Sequence, residues 1–157
     1  MKTNEVTPIG ETAIERLIEH VRRSYSRSLN WYFQVCKEYA QVKQSTFDSN
    51  RKKVFSETDK LFYDGEGKIN WNNIRQMMPL KIEELLKEKY SMLNDNEIHL
   101  CCLLAFDISP KKIAAIMLYK KASIPSIKYL IKQKSGIKDF TDLFREITLN
   151  HFLNANR

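Results

Sequence analysis

The fold is decided by residues 93–136, LNDNEIHLCCLLAFDISPKKIAAIMLYKKASIPSIKYLIKQKSG. Asn94 followed three positions later by Glu97 has the form of a capping box, in which each side chain satisfies the other residue's backbone N–H. It opens a helix carrying Ile98, Cys101, Cys102, Leu104 and Ala105. Asp107-Ile108 makes a turn. Ser109-Pro110 then pairs an N-cap with proline at the first helical position, where its missing N–H costs nothing. This second helix, from Pro110 to about Leu118, buries Ile113, Ala114 and Met117. After a polar turn at 119–122, Ser123 is read as the cap of a third helix, Ile124 to Ser135, stopped by Gly136 as a C′ glycine stops a helix. A fourth helix follows from about Asp139 to Phe152, with Phe140, Leu143, Phe144, Ile147 and Phe152 on one side. Residues 93–157 are thus expected to be a four-helix unit with a tight turn between its second and third helices.

Upstream the spacing is also helical. From Glu11 to about Lys43, Ile14, Leu17, Ile18, Val21, Tyr25, Leu29, Tyr32, Phe33, Cys36, Tyr39 and Ala40 recur at three- and four-residue intervals. The polar face carries Glu15, Glu19, Arg22, Arg23, Arg27, Lys37 and Glu38. This predicts one long amphipathic helix, with Ser24–Ser28 as the place where it would break. Asp48 is read as the cap of a second helix reaching Phe62, with Val54, Phe55, Leu61 and Phe62 as its apolar positions; Tyr63–Gly67 ends it. Residues 69–90 read as two short helices meeting at Pro79, because proline cannot continue the hydrogen-bond ladder. The expected fold class is all-α, with a helical region at 1–92 and a four-helix domain at 93–157. No repeat of solenoid length is present.

Composition narrows the function. The 157 residues are 43% hydrophobic and 29% charged with only four glycines and four prolines, which fits a helix-rich folded chain rather than a turn-rich barrel. Three cysteines, Cys36, Cys101 and Cys102, cannot make a disulfide framework and imply a reducing compartment. The segment MKTNEVTPIGET has no apolar signal core, and no run approaches ~18 uncharged apolar residues, so a cytoplasmic protein without a membrane partner is expected.

Catalytic signatures are missing: no glycine-rich phosphate loop, nucleophile elbow or metal-spaced Cys/His cluster occurs. His20, His99 and His151 are far apart in sequence. His99 and Cys102, three apart, supply at most half a metal site, so no metal and no cofactor are expected. Glu83, Glu84 and Asp59 read as solvated helix carboxylates. No enzyme activity is predicted.

Charge points elsewhere. Net charge is +7, yet residues 93–157 hold ten basic and six acidic side chains, and the excess is concentrated. Between Ile108 and Lys138 stand eight lysines, at 111, 112, 120, 121, 128, 132, 134 and 138, with no Asp or Glu. A helix, short turn and basic helix is the geometry that enters a DNA major groove, and clustered cations are the footprint of phosphate binding. Lys111 and Lys112 lie in the first turn of their helix, where the macrodipole disfavours a cation by ~0.3–1 kcal/mol each, a cost that a nearby phosphate would offset.

The stretch resembles the LuxR-type helix-turn-helix. Leu93, Glu97, Leu103, Leu104, Ala105, Ser109, Lys111, Ile113, Ala114, Lys134 and Gly136 match the family pattern, with Met117, Ile124 and Ile137 as apolar equivalents. The form NEIHLCCLL at 96–104, preceded by LLKEKY at 85–90, is similar to the C-terminal region of bacterial regulators that carry tetratricopeptide repeats upstream; here the repeats are absent. Five positions depart. Asp107 stands where the family has its turn glycine, Lys112 where it has glutamate, Tyr119-Lys120 where it has Ile-Ser, and Pro125 where it has a lysine used against DNA.

The resemblance implies a DNA-binding transcriptional regulator with the helix at 124–135 in the major groove of double-stranded DNA. It places Ser126 and Tyr129 towards bases and Lys128 and Lys132 near the backbone, with Lys111, Lys112, Lys120, Lys121 and Ser123 completing the DNA-binding set. Neither Ser126 nor Tyr129 is a bidentate base reader, so modest specificity is expected, or specificity set by dimer spacing. The aromatic cluster Trp31, Tyr32, Phe33 and Tyr39 is expected to pack against the helices around Phe55, Phe62 and Trp71, or alternatively to pair with its copy in a dimer through Trp31 and Tyr32; the resemblance implies a homodimer and adds Leu143, Phe144 and Ile147 of the last helix as another candidate surface. Two alternatives stand beside this one: a protein-interaction module built on a degenerate helix-turn-helix with the N-terminal helices as the working surface, or the C-terminal piece of a larger sensor-regulator.

Overall fold

The computed structural model describes residues 6–45, 49–78 and 81–155, with side chains described at 13–45, 55–78 and 81–151. It is all-α: α1 spans Val6–Gln44, α2 Ser49–Phe62, α3 Trp71–Gln76, α4 Ile82–Lys89, α5 Asp95–Ala105, α6 Pro110–Met117, α7 Ile124–Ser135 and α8 Phe140–Ala155. A single 3₁₀ turn, Lys121–Ser123, leads into α7. The only pairing of extended backbone among the described residues is an isolated bridge between Tyr63 and Ile69, which closes the turn after α2. The Asp48 cap, Pro79 and the side chains of Val54 and Phe152 lie outside the described residues.

The centre of the molecule is α5. Its Ile98 and Leu100 through Ala105 are all buried, so this helix is apolar on nearly every side, the mark of a helix surrounded by others. α8 and α4 pack against it, and α1 packs on α8. One core joins Ile18, Leu29 and Phe33 of α1 and Ile74, Ile82 and Leu86 of α3 and α4 to α5, α6, α7 and α8. The packing therefore runs without interruption across Met92.

Caps set the boundaries of the C-terminal helices. Asn94 accepts a 2.8 Å hydrogen bond from the Glu97 amide, and Glu97 Oε1 accepts one of 3.0 Å from the Asn94 amide, so the capping box forms. Ser109 Oγ accepts from the Lys112 amide at 3.3 Å ahead of Pro110. Gly136 ends α7 at φ +76°, the left-handed conformation that glycine enters without a Cβ penalty. Asp139 caps α8 by accepting from the Thr141 amide at 2.9 Å.

Two local expectations change. α1 continues without a break through Ser24–Ser28: Leu29 is fully buried and Arg22 and Tyr25 are fixed against the core, so tertiary contacts hold the helix across the serines. Ser123 precedes α7 in an αR conformation with no side-chain cap bond, because the chain enters α7 from the 3₁₀ turn already helical.

Candidate nucleic-acid interface

The eight lysines do not form one sheet of free charge; the helices sort them into three groups and a single internal one. Lys120 and Lys121 are exposed in the connection between α6 and α7. Lys128 and Lys132, one turn apart on α7, both approach the Phe140 ring, with Nζ 5.8 and 5.6 Å from its centroid. With Lys138 they line a 320 Å³ cleft that also contains Asp107 and Asp139. Lys111 and Lys112 lie at the start of α6 on the side facing α1, where Lys112 Nζ donates a 2.6 Å hydrogen bond to Asn30 Oδ1. Lys134 is an internal tie: its Nζ lies 2.9 Å from Glu97 Oε2 and 3.0 Å from Oε1, joining α7 to the capping box of α5.

α7 buries Ile124 and Ile131 and presents Ser126, Tyr129, Leu130 and Gln133 outwards. Tyr129 is 60% and Leu130 50% exposed, and the Tyr129 hydroxyl accepts from Gln133 Nε2 at 2.6 Å. Pro125 sits in the first turn, where it needs no N–H partner. Ser126 and Tyr129 therefore share an accessible face, and Ser123 is half-buried at its base.

The dimerisation candidates separate. Trp31 is 66% exposed on α1, while Tyr32 is half-buried, stacked on Phe62 and accepting a 3.0 Å hydrogen bond from Asn73. Leu143, Phe144 and Ile147 are interior: α8 turns them into the core against α1, α4 and α5, and Phe144 meets the Phe106 ring at 5.2 Å. They are not on the surface of the single chain.

Several charged groups have roles that sequence spacing misassigned. Glu83 is buried rather than solvated. It accepts from Arg75 Nε at 2.6 Å and Trp71 Nε1 at 3.0 Å, with His99 Nε2 at 3.2 Å and Lys87 Nζ at 3.4 Å. Burial pushes its carboxyl up, but the hydrogen bonds from Arg75 and Trp71 and the Arg75 charge outweigh this and hold it at about 2. His99 stacks on Trp71 at 3.8 Å, and burial, exceeding the pull of Glu83, holds its pKa below the usual histidine value.

Asp59 is also engaged, accepting from the Tyr39 hydroxyl at 2.6 Å and from Lys43. Arg22 is buried instead of lying on the polar face of α1. It binds Glu19 in its own helix and reaches Asp107 Oδ2 at 2.6 Å and the Ala105 carbonyl at 3.4 Å. A signal for this was present, since position 22 falls on the Ile18–Tyr25–Leu29 line of the apolar stripe.

The cysteines are buried thiols, and burial pushes Cys101 up to about 12, which leaves it protonated and unreactive. Among the described residues no three His, Cys, Asp or Glu side chains come together as a metal site, and no helix is long and apolar enough to cross a membrane. Compared with protein-family models, with curated proteins and with solved structures, the chain finds no match.

Proposed function

We propose that the chain is a DNA-binding transcriptional regulator in which α7 enters the major groove and lysines of the 108–138 block hold the phosphates. The observation that carries this reading is the acid-free block itself: Lys120 and Lys121 exposed before α7, and Lys128 and Lys132 along it, beside an outward face of Ser126 and Tyr129. Ser126 and Tyr129 supply hydrogen bonds to base edges, and the lysines supply affinity that depends on salt. The mechanism is binding alone. Phosphate neutralisation releases counterions, base contacts select the site, and a second copy at one helical turn would add specificity.

The test is binding to double-stranded DNA over a salt series. Lys128→Ala/Lys132→Ala should weaken binding and reduce the log–log salt slope by about two, roughly one for each phosphate no longer neutralised. Lys134→Ala should leave the slope unchanged, because Lys134 is already paired with Glu97. Equal slopes for wild type and the double variant would reject this surface.

A second reading, a protein-interaction module, is favoured by the exposed apolar side chains of the N-terminal helices, Leu17 and Trp31 on α1 and Leu61 on α2. It predicts no DNA binding at low salt and a stable protein complex through residues before Leu93.

A further inference from the structure

We infer that the groove between α1, the 63–69 turn and α6 binds a small anionic amphiphile, a carboxylate carried on an unbranched apolar chain. This goes beyond the DNA-binding reading and does not depend on it. The groove measures 460 Å³, within the ~300–1,000 Å³ typical of small-molecule sites. Phe33, Cys36 and Ile116 give it an apolar floor, and Ala40 and Ala115 leave the space open.

Its charge has one sign. Lys37, Lys111 and Lys112 line it, and no Asp or Glu does. Among the described residues none of the three makes an ion pair, and the partner of Lys112 is the neutral amide of Asn30. Lys111 and Lys112 also stand at the positive end of the α6 dipole, an arrangement that an anion relieves.

At the other end of α6, Leu118 lines the same groove in a left-handed conformation, φ +56°, with its side chain 57% exposed. This is the left-handed cap that ends α6, its N–H bonded to the Ala114 carbonyl, and it leaves an apolar side chain facing water. α6 therefore has cations without an ion-pair partner at its start and an uncovered apolar group at its end, about 10 Å apart along the helix. A ligand with a carboxylate head and an apolar tail of that length satisfies both. A cation or a neutral alcohol satisfies only the apolar half.

Calorimetric titration of the full chain with decanoate, decanol and decyltrimethylammonium, each below its micellar concentration, tests this. Decanoate should bind at one site at least tenfold more tightly than decanol, and the ammonium amphiphile should not saturate. Lys111→Ala/Lys112→Ala and Lys37→Glu, all at exposed positions, should each weaken decanoate tenfold or more. Ala115→Trp, which fills the groove from an exposed position of α6, should abolish binding while the melting temperature stays at the wild-type value. Absence of saturable decanoate binding, equal binding of the ammonium amphiphile, or undiminished binding by a folded Ala115→Trp variant would overturn the inference. DNA affinity measured on Lys37→Glu and Ala115→Trp, which leave every lysine of the 108–138 block in place, reports separately, so the two readings fail independently.

Discussion

Asp107 shows how a single backbone angle sets what a residue can be. Its φ of +58° lies in the left-handed region, which glycine enters freely, aspartate tolerates and a β-branched residue resists. Aspartate keeps the turn and adds the ion pair to Arg22. Asp107→Gly should therefore change stability by less than about 1 kcal/mol, the relieved backbone offsetting the lost pair. Asp107→Val should cost about 2 kcal/mol or more, because it loses the pair and strains the turn. Urea unfolding of the two variants measures the difference.

Glu83 makes a second prediction at this scale. Its carboxylate is held at about 2 in the fold, so its contribution is complete above the ordinary carboxylate pKa and is lost as pH falls towards 2. Glu83→Gln should destabilise by about 2 kcal/mol near neutral pH, discounted from a fully buried pair because Arg75 is half exposed. The gap between variant and wild type should close progressively below pH 4.5. His99 adds in the same direction at higher pH: its depressed pKa supplies stability present above the ordinary histidine value and lost as pH falls below it.

At the scale of elements, most of the helical plan is legible in the sequence, because caps act through neighbours in the chain. Asn94 with Glu97, Ser109 with Pro110, and Gly136 each satisfy or release backbone groups within four residues, and each sets a boundary where its residue type says it should. Ser123 has the right residue type and the wrong conformation. A cap serine must stand extended ahead of the helix, whereas Ser123 is already helical at the end of the 3₁₀ turn. Ser109→Ala should then cost about 1 kcal/mol, and Ser123→Ala only a few tenths, in thermal unfolding. The serines of α1 mislead for the complementary reason. Weak local propensity is overruled by Leu29, Phe33 and Arg22, whose partners lie far along the chain and leave no mark in the local pattern.

For the whole molecule, the sequence separates a basic C-terminal block from a balanced N-terminal one, and the structure joins the two through one core. The sorting of the lysines is the least legible part of the candidate site. Lys111, Lys112, Lys128 and Lys134 look alike in a count of charge, but Asn30, Phe140 and Glu97, which distinguish three of them, come from other helices. The interior position of Leu143, Phe144 and Ile147 follows from the same cause: an apolar helix face states that it will be covered, and only the packing of α1, α4 and α5 states by what.

α1 is a continuous rod of 39 residues, about 58 Å long, that meets α8 near one end and α2 near the other. Its amides should not exchange with solvent deuterium at one rate. Those around Leu29, Phe33 and Cys36, clamped beneath buried side chains, should open only when the whole molecule unfolds, while those around Ile14 and Leu17, whose side chains face water, should open by local fraying at far lower free energy. A helix that is uniform in shape is thus graded in lifetime along its axis. Hydrogen–deuterium exchange read peptide by peptide would reveal that gradient, and a flat profile across α1 would show that it opens as one unit.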